Sequence, residues 1–175
     1  IRQLNEGKDM KSNRTNFFEE ATLRIYGDLE IENALHSLLL YLQEYIPVAR
    51  MYLSVFNDQL AAMNIIARAD EEMSEKLDLI LPLPPDALDT VKVFSKGDDA
   101  FLIETPTDYA LTRHVMTILN VTASSVIFLI LRSGDRIVGN VVLHSVGDNR
   151  FTKNDLKWLK PLQGPMKIAV SNTLK

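Results

Sequence analysis

The stretch SSVIFLILRSGDRIVGNVVLHSVGDNRFTKNDLKWL, residues 124–159, decides the fold. Two apolar runs, 125–132 and 136–146, flank Ser133-Gly134-Asp135, the pattern of a β-hairpin closed by a tight turn. Gly134 supplies the positive φ that such a turn needs. Val126, Phe128 and Ile130 point to one side of the first run, and Ile127, Leu129 and Leu131 to the other. An antiparallel pair with one wet face would alternate apolar with polar, so both faces of this hairpin are expected to be covered. Thr152, with Asp155 three places on, forms a capping box in which Asp replaces Glu. A helix is expected to start there and return Leu156 and Leu159 to the sheet.

Working outward, 175 residues suffice for one domain with a substantial core. The hydrophobic share of 46% and charged share of 24% are ordinary for a globular chain. A net charge of −4 without any Lys/Arg cluster gives no footprint for direct nucleic-acid binding. No apolar run approaches a membrane span and no signal peptide is visible, so a cytoplasmic location is expected. The first residue is Ile1 rather than Met, which suggests a piece of a longer chain. With no cysteine, disulfides, thiolate catalysis and zinc–thiolate sites are excluded.

Residues 1–13 read as a flexible lead-in. Phe18, Ala21, Thr22 and Ile25 fall at helical spacing over 14–26, and Gly27-Asp28 ends that helix. The broad stripe Ile31, Ala34, Leu35, Leu38, Leu39, Leu42 and Ile46 predicts a second helix, stopped by Pro47. Strands are expected over 50–57 and 61–69, joined by the turn 57–60. The run 77–83, interrupted by proline, is suited only to a sheet edge or a strand end. A short helix over 85–95, a strand over 100–104 and a helix from Thr107 or Asp108 to Leu119 follow. Pro161, Gly164 and Pro165 predict a break between Lys160 and Pro165, with a last helix over 165–174. The order predicts an α+β fold, a single antiparallel sheet of about six strands with helices on both faces, and places 50–57 and 136–146 at its centre.

The segments NFFEEATLRIYGDLEIENALHSLLLYLQEYIP (16–47), MYLSVFNDQLAAMNIIARA (51–69) and DRIVGNVVLHSVGDNRFTKNDLKWL (135–159) together resemble a GAF domain, over 14–175. The last segment matches a family pattern of strand, "iG-x-v-x-l", loop, "F-T-x-x-D/E-l-x-l-L", helix. The wording of 16–47 and 165–175 resembles the amino-terminal sensor domain of sigma-54-dependent transcriptional activators. There the sensor precedes an ATPase domain and a helix-turn-helix domain. This chain has no GxxxxGK[ST] and cannot itself hydrolyse nucleotide by that route. The resemblance implies a small-molecule pocket between the sheet and residues 85–119, and pairing through terminal helices. It leaves the ligand and any cofactor unidentified. The cysteine used by bilin-binding and methionine-sulfoxide-reducing relatives is absent, as is the Asn-Lys-x-Phe-x-Asp-Glu motif of cyclic-nucleotide-binding ones.

Tyr109, Arg113 and His114 are the candidate ligand-binding residues. Arg113 offers a planar fork for a carboxylate or phosphate, against the plainer reading of an exposed helix arginine. Tyr109 and Tyr52 are aromatics able to line a pocket or simply to pack. Asp108 is either a ligand contact or a helix cap. His36 lies off its helix's apolar stripe, and His144 is placed on a strand ending near solvent. That leaves His114 as the histidine nearest a pocket. No ligating pair, paired acid/base carboxylates or Ser-His-Asp spacing appears, Glu71, Glu72 and Glu75 reading as a solvated run, so no enzyme and no metal site is expected. Phe17, Leu23 and Ile168 lie off the inward stripes of the terminal helices and suggest a homodimer. Two functions are weighed: a ligand-responsive sensory domain, and a ligand-free dimerisation module whose pocket its own side chains fill.

Overall fold

A computed structural model describes residues 2–174, with side chains over residues 13–174. Six antiparallel strands form one sheet: β1 (Arg50–Asn57), β2 (Ala62–Asp70), β3 (Ser74–Pro82), β4 (Ala100–Ile103), β5 (Ser125–Ser133) and β6 (Arg136–Ser145). Their order is β3-β2-β1-β6-β5-β4. The two strands expected at the centre, β1 and β6, pair there, with Tyr52 opposite Val142 and Ser54 opposite Asn140. The proline-bounded β3 lies at an edge, where a missing N–H costs no ladder bond. The β5–β6 hairpin turns at Gly134, whose φ is 63°. Residues 126–131 are buried without exception.

Both faces are covered, by different helices. On the first face lie α1 (Arg2–Tyr26), α2 (Ile31–Leu42), α5 (Lys153–Leu159) and α6 (Gln163–Thr173). Their side chains enclose Met51, Leu53, Ile127, Leu129, Val141 and Leu143. The other face, carrying Tyr52, Ile65, Phe128 and Val142, packs against Phe94 of α3 (Pro85–Lys96) and Val115 and Leu119 of α4 (Ala110–Leu119). The capping box at the start of α5 is complete: the Thr152 hydroxyl accepts from Asp155 N, and the Asp155 carboxylate accepts from Thr152 N at 2.8 Å. Lys160–Leu162 forms a 3₁₀ turn between α5 and α6, which is the break demanded by Pro161. Gln163 at that break donates to the carbonyls of Asp99 (2.8 Å) and Ile130 (3.0 Å), tying the start of α6 to the sheet.

Three expectations are corrected. On α1 the inward residues are Phe17, Ala21 and Ile25, whereas Phe18 is 37% exposed. Spacing alone cannot choose between adjacent phenylalanines. Phe17 wins because its ring meets Tyr41, Tyr45 and Trp158 at centroid distances of 5.8, 5.5 and 4.9 Å. The lead-in expected over 1–13 falls on residues of which 1–12 lie outside those whose side chains are described; the backbone of α1 runs from Arg2. Neither Thr107 nor Asp108 caps α4: a 3₁₀ turn over Pro106–Asp108 intervenes, and Tyr109 is the N-cap, without a side-chain bond. Ile118, expected inward on α4, is 54% exposed.

Candidate functional site

The space between the second sheet face and helices α3 and α4 holds two adjoining cavities. The first, of about 40 Å³, lies under α4 between Leu111, Val115 and Leu119 and the strand residues Tyr52, Ser54, Val142 and His144. The second, of about 310 Å³, lies under α3, against Phe56, Phe94, Phe128, Ile130 and Asn140. Met63, Leu111 and Phe128 line both and so form the partition. The larger volume falls in the range of small-molecule pockets, while the smaller holds only a few atoms.

Local sequence explains the placement. On β1 and β6 the alternation of side chains sends Tyr52, Ser54, Asn140, Val142 and His144 to one face. In β2 the pairing slips between Ile65 and Ala67, leaving Ile66 unpaired opposite the Leu53–Ser54 step. That bulge turns Ile65 to the cavity face while Ala67 and Ala69 pack on the other. On α4, Leu111, Val115 and Leu119 recur at i, i+4, i+8, so one stripe roofs the first cavity.

No charged side chain lines the first cavity. Its polar groups come from Tyr52, Ser54, Thr112 and His144. Thr112 is committed to the carbonyls of Pro106 and Tyr109. Ser54 and Asn140 are 5% and 8% exposed, and among the described residues neither side chain meets a hydrogen-bond partner. His144 is 4% exposed. Burial, and then the nearby Arg50 charge, hold its pKa down to about 3, so its ring is neutral at ordinary pH. The Tyr52 ring lies 5.1 Å from it, and burial pushes the Tyr52 hydroxyl upward against the opposing pull of Arg50 and Arg68. Asp58 and Lys92, both exposed, stand at the mouth of the second cavity.

The cavities lie where the sequence placed a pocket, but Tyr109, Arg113 and His114 line neither. Tyr109 is 41% exposed and meets Phe94 at 5.4 Å. Arg113 is exposed and donates to the Thr107 carbonyl at 2.9 Å. His114, half-buried, bonds the Pro82 carbonyl at 3.0 Å. Arg113 and His114 fall between Leu111 and Val115 in the sequence, off the stripe that faces the cavity. His144, expected near solvent, is the pocket histidine. Its signal was in the sequence, because it shares parity with Val142 on a strand whose two faces are both apolar. His36 is half-buried and bonds the Asp70 carbonyl at 2.9 Å. Glu75 belongs to β3 and pairs with Arg68 at 2.9 Å. Among the described residues no group of His, Asp and Glu could hold a metal ion, and no helix is long and apolar enough to cross a membrane.

No protein-family model matches the chain, and no curated relative was found. Solved structures do match. The GAF domain of a phosphoenolpyruvate-protein phosphotransferase from Coxiella burnetii aligns with a TM-score of 0.67 at 12% identity, over 93% of this chain and 95% of that one. The phycoerythrobilin-bound GAF domain of a cyanobacterial phytochrome aligns at 0.63 and 14%, over 92% and 96%. The chromophore-binding domain of a bacteriophytochrome from R. palustris aligns at 0.61 and 11%, over 92% of this chain; this chain spans 61% of its length. At such identities the likeness establishes the fold, which is the α+β GAF fold.

Proposed function

We propose that this GAF-fold chain is a sensory domain that binds a small molecule in the paired cavities beneath α3 and α4 and passes the signal to its terminal helices. The observation that carries this reading is the pocket itself: a mostly apolar recess onto which Tyr52, Ser54, Asn140 and His144 open polar groups, those of Ser54 and Asn140 without a hydrogen-bond partner among the described residues. A small molecule lying in the recess would supply hydrogen-bond partners to these groups. Helices α1 and α6 pack on the opposite sheet face, so the sheet is the element through which the two sites communicate. A ligand moves the output only by the difference between its affinities for two arrangements of those helices.

The finer context belongs to the same proposal. The wording of 16–47 and 165–175 supports a sensor attached to the ATPase and DNA-binding domains of a sigma-54-dependent regulator, acting as a homodimer in the cytoplasm without touching nucleic acid or membrane itself. No catalytic step is assigned to it. The small size of the first cavity favours the second reading, a ligand-free dimerisation module. Native mass spectrometry of the purified domain separates the two. An adduct of constant mass, removed by unfolding, is the result expected of a sensor. A bare chain mass from every expression medium tried would favour the module.

A further inference from the structure

The polar end of the pocket has a defined hydrogen-bonding sense. Arg50, at the start of β1, reaches the loop before β5, where its terminal Nη2 donates to the Thr122 carbonyl. The same nitrogen lies 3.3 Å from Nδ1 of His144. A guanidinium has donors and no acceptor, and it stays charged in proteins. Nδ1 of His144 therefore acts as the acceptor and carries no proton. In a neutral imidazole the proton then resides on Nε2. Among the described residues Nε2 has no partner, and the ring lines the first cavity.

The lining restricts what can sit opposite that donor. The titratable and charged groups that face His144 are Arg50, on the far side of the ring, and Tyr52, whose hydroxyl stays protonated. Asp58 and Lys92 stand only at the outer mouth of the second cavity. A carboxylate or phosphate carried to the inner end would lose its hydration with no cation in the lining to pair with, since Arg50 and Arg68 act on Tyr52 from outside the lining, and that is unfavourable. The wider cavity is walled by the Phe56, Phe94 and Phe128 rings, with Phe128 itself stacked on Phe101 at 5.3 Å. The partition includes Met63, an unbranched and adaptable side chain able to swing aside.

We propose that the pocket takes an uncharged molecule with an aromatic or apolar body and one hydrogen-bond acceptor, the body lying among Phe56, Phe94 and Phe128 and the acceptor meeting Nε2–H of His144, with Arg50 as the positioning residue that fixes the tautomer. This rests on the ligand-binding reading given above. Three probes of nearly one shape test it: 4-phenylbutan-2-one, with a ketone acceptor; isopentylbenzene, with a methyl group in place of that oxygen; and 3-phenylpropanoate, with an anion. Binding to the ¹⁵N-labelled domain is followed by amide shifts of the cavity residues, and the His144 ring by its long-range ¹⁵N–¹H correlations.

The expected result is an Nε2–H tautomer in the free protein, displacement of that signal by the ketone, and an affinity for the ketone about tenfold or more above either comparator. His144→Phe, which keeps a ring and removes the donor, should bring the ketone's affinity down to that of isopentylbenzene for the same variant. An Nδ1–H tautomer overturns the donor assignment and needs no variant to fold. Equal binding of isopentylbenzene, or binding of 3-phenylpropanoate as tight as the ketone's, overturns the ligand class and leaves a binding pocket standing. If none of the three binds, the inference falls. An adduct in native mass spectrometry would then preserve the sensory reading, and its absence would remove both.

Discussion

His144 and Phe17 show what single residues decide in this chain. His144 is buried, neutral and backed by Arg50. Its pKa lies at about 3 in the folded protein, below the value near 6.5 of an unfolded histidine. A depressed pKa means that the unfolded chain takes up the proton first. Stability from this group is therefore complete above about pH 6.5 and declines as pH falls from there toward 3, by up to about 1.4 kcal/mol per pH unit. Urea denaturation at pH 7.5, 6.5 and 5.5 should show that loss, and His144→Phe should flatten it. Equal pH slopes for the two proteins would contradict the assignment. Phe17 anchors an aromatic group with Tyr41, Tyr45 and Trp158. Phe17→Ala should cost about 3–5 kcal/mol and Phe18→Ala, at the half-exposed neighbour, far less, as read by denaturant midpoints.

At the scale of elements, the hairpin, the cap and the helix break were legible because each has a local cause. Gly134 has the φ of 63° that its turn requires. Thr152 and Asp155 bond as their spacing implied; Thr152→Ala should destabilise by about 1 kcal/mol in thermal unfolding, with a larger effect than Thr173→Ala near the frayed end of α6. Gly139, the glycine of the "iG-x-v-x-l" pattern, has a physical reason as well. A Cβ there would lie 3.3 Å from the Ser54 carbonyl oxygen and 3.5 Å from Val170 Cγ1 of α6. The strand–helix approach depends on its lack of a side chain. The slip at Ile66 was not legible. Alternating burial along β2 looks like a strand with one inward face, yet the bulge sends Ile65 and Ala67 to opposite sides. On α4 the stripe Leu111, Val115, Leu119 faces the sheet, and the polar pair Arg113-His114 lies off it.

For the whole molecule, the candidate ligand cavities under α3 and α4 and the terminal helices lie on opposite sheet faces, and a further recess of about 300 Å³ lies beside the terminal helices, lined by Ile25, Ile31 and Ala169. The terminal helices retain exposed apolar side chains, with Leu23 62%, Tyr26 48% and Ile168 51% exposed. We propose that they pair with a second copy, and the correction at Phe17 changes the test. A charge at Phe17 would disrupt the core, so the informative double variant is Leu23→Glu with Ile168→Glu. Light scattering should give a dimer for the wild type and a folded monomer for the variant. A monomeric wild type, or a variant that still dimerises, would remove this surface from the association.

The most direct test of the account is backbone amide hydrogen exchange with and without saturating 4-phenylbutan-2-one. It reads both the pocket and the output in one experiment. Slower exchange is expected in α3, α4 and the 142–145 end of β6, together with a change in α1 or α6 across the sheet. Slowing confined to α2 and α1 would place the ligand on the wrong face. Protection of α3 and α4 with no change in either terminal helix would contradict the claim that this pocket controls the chain's ends.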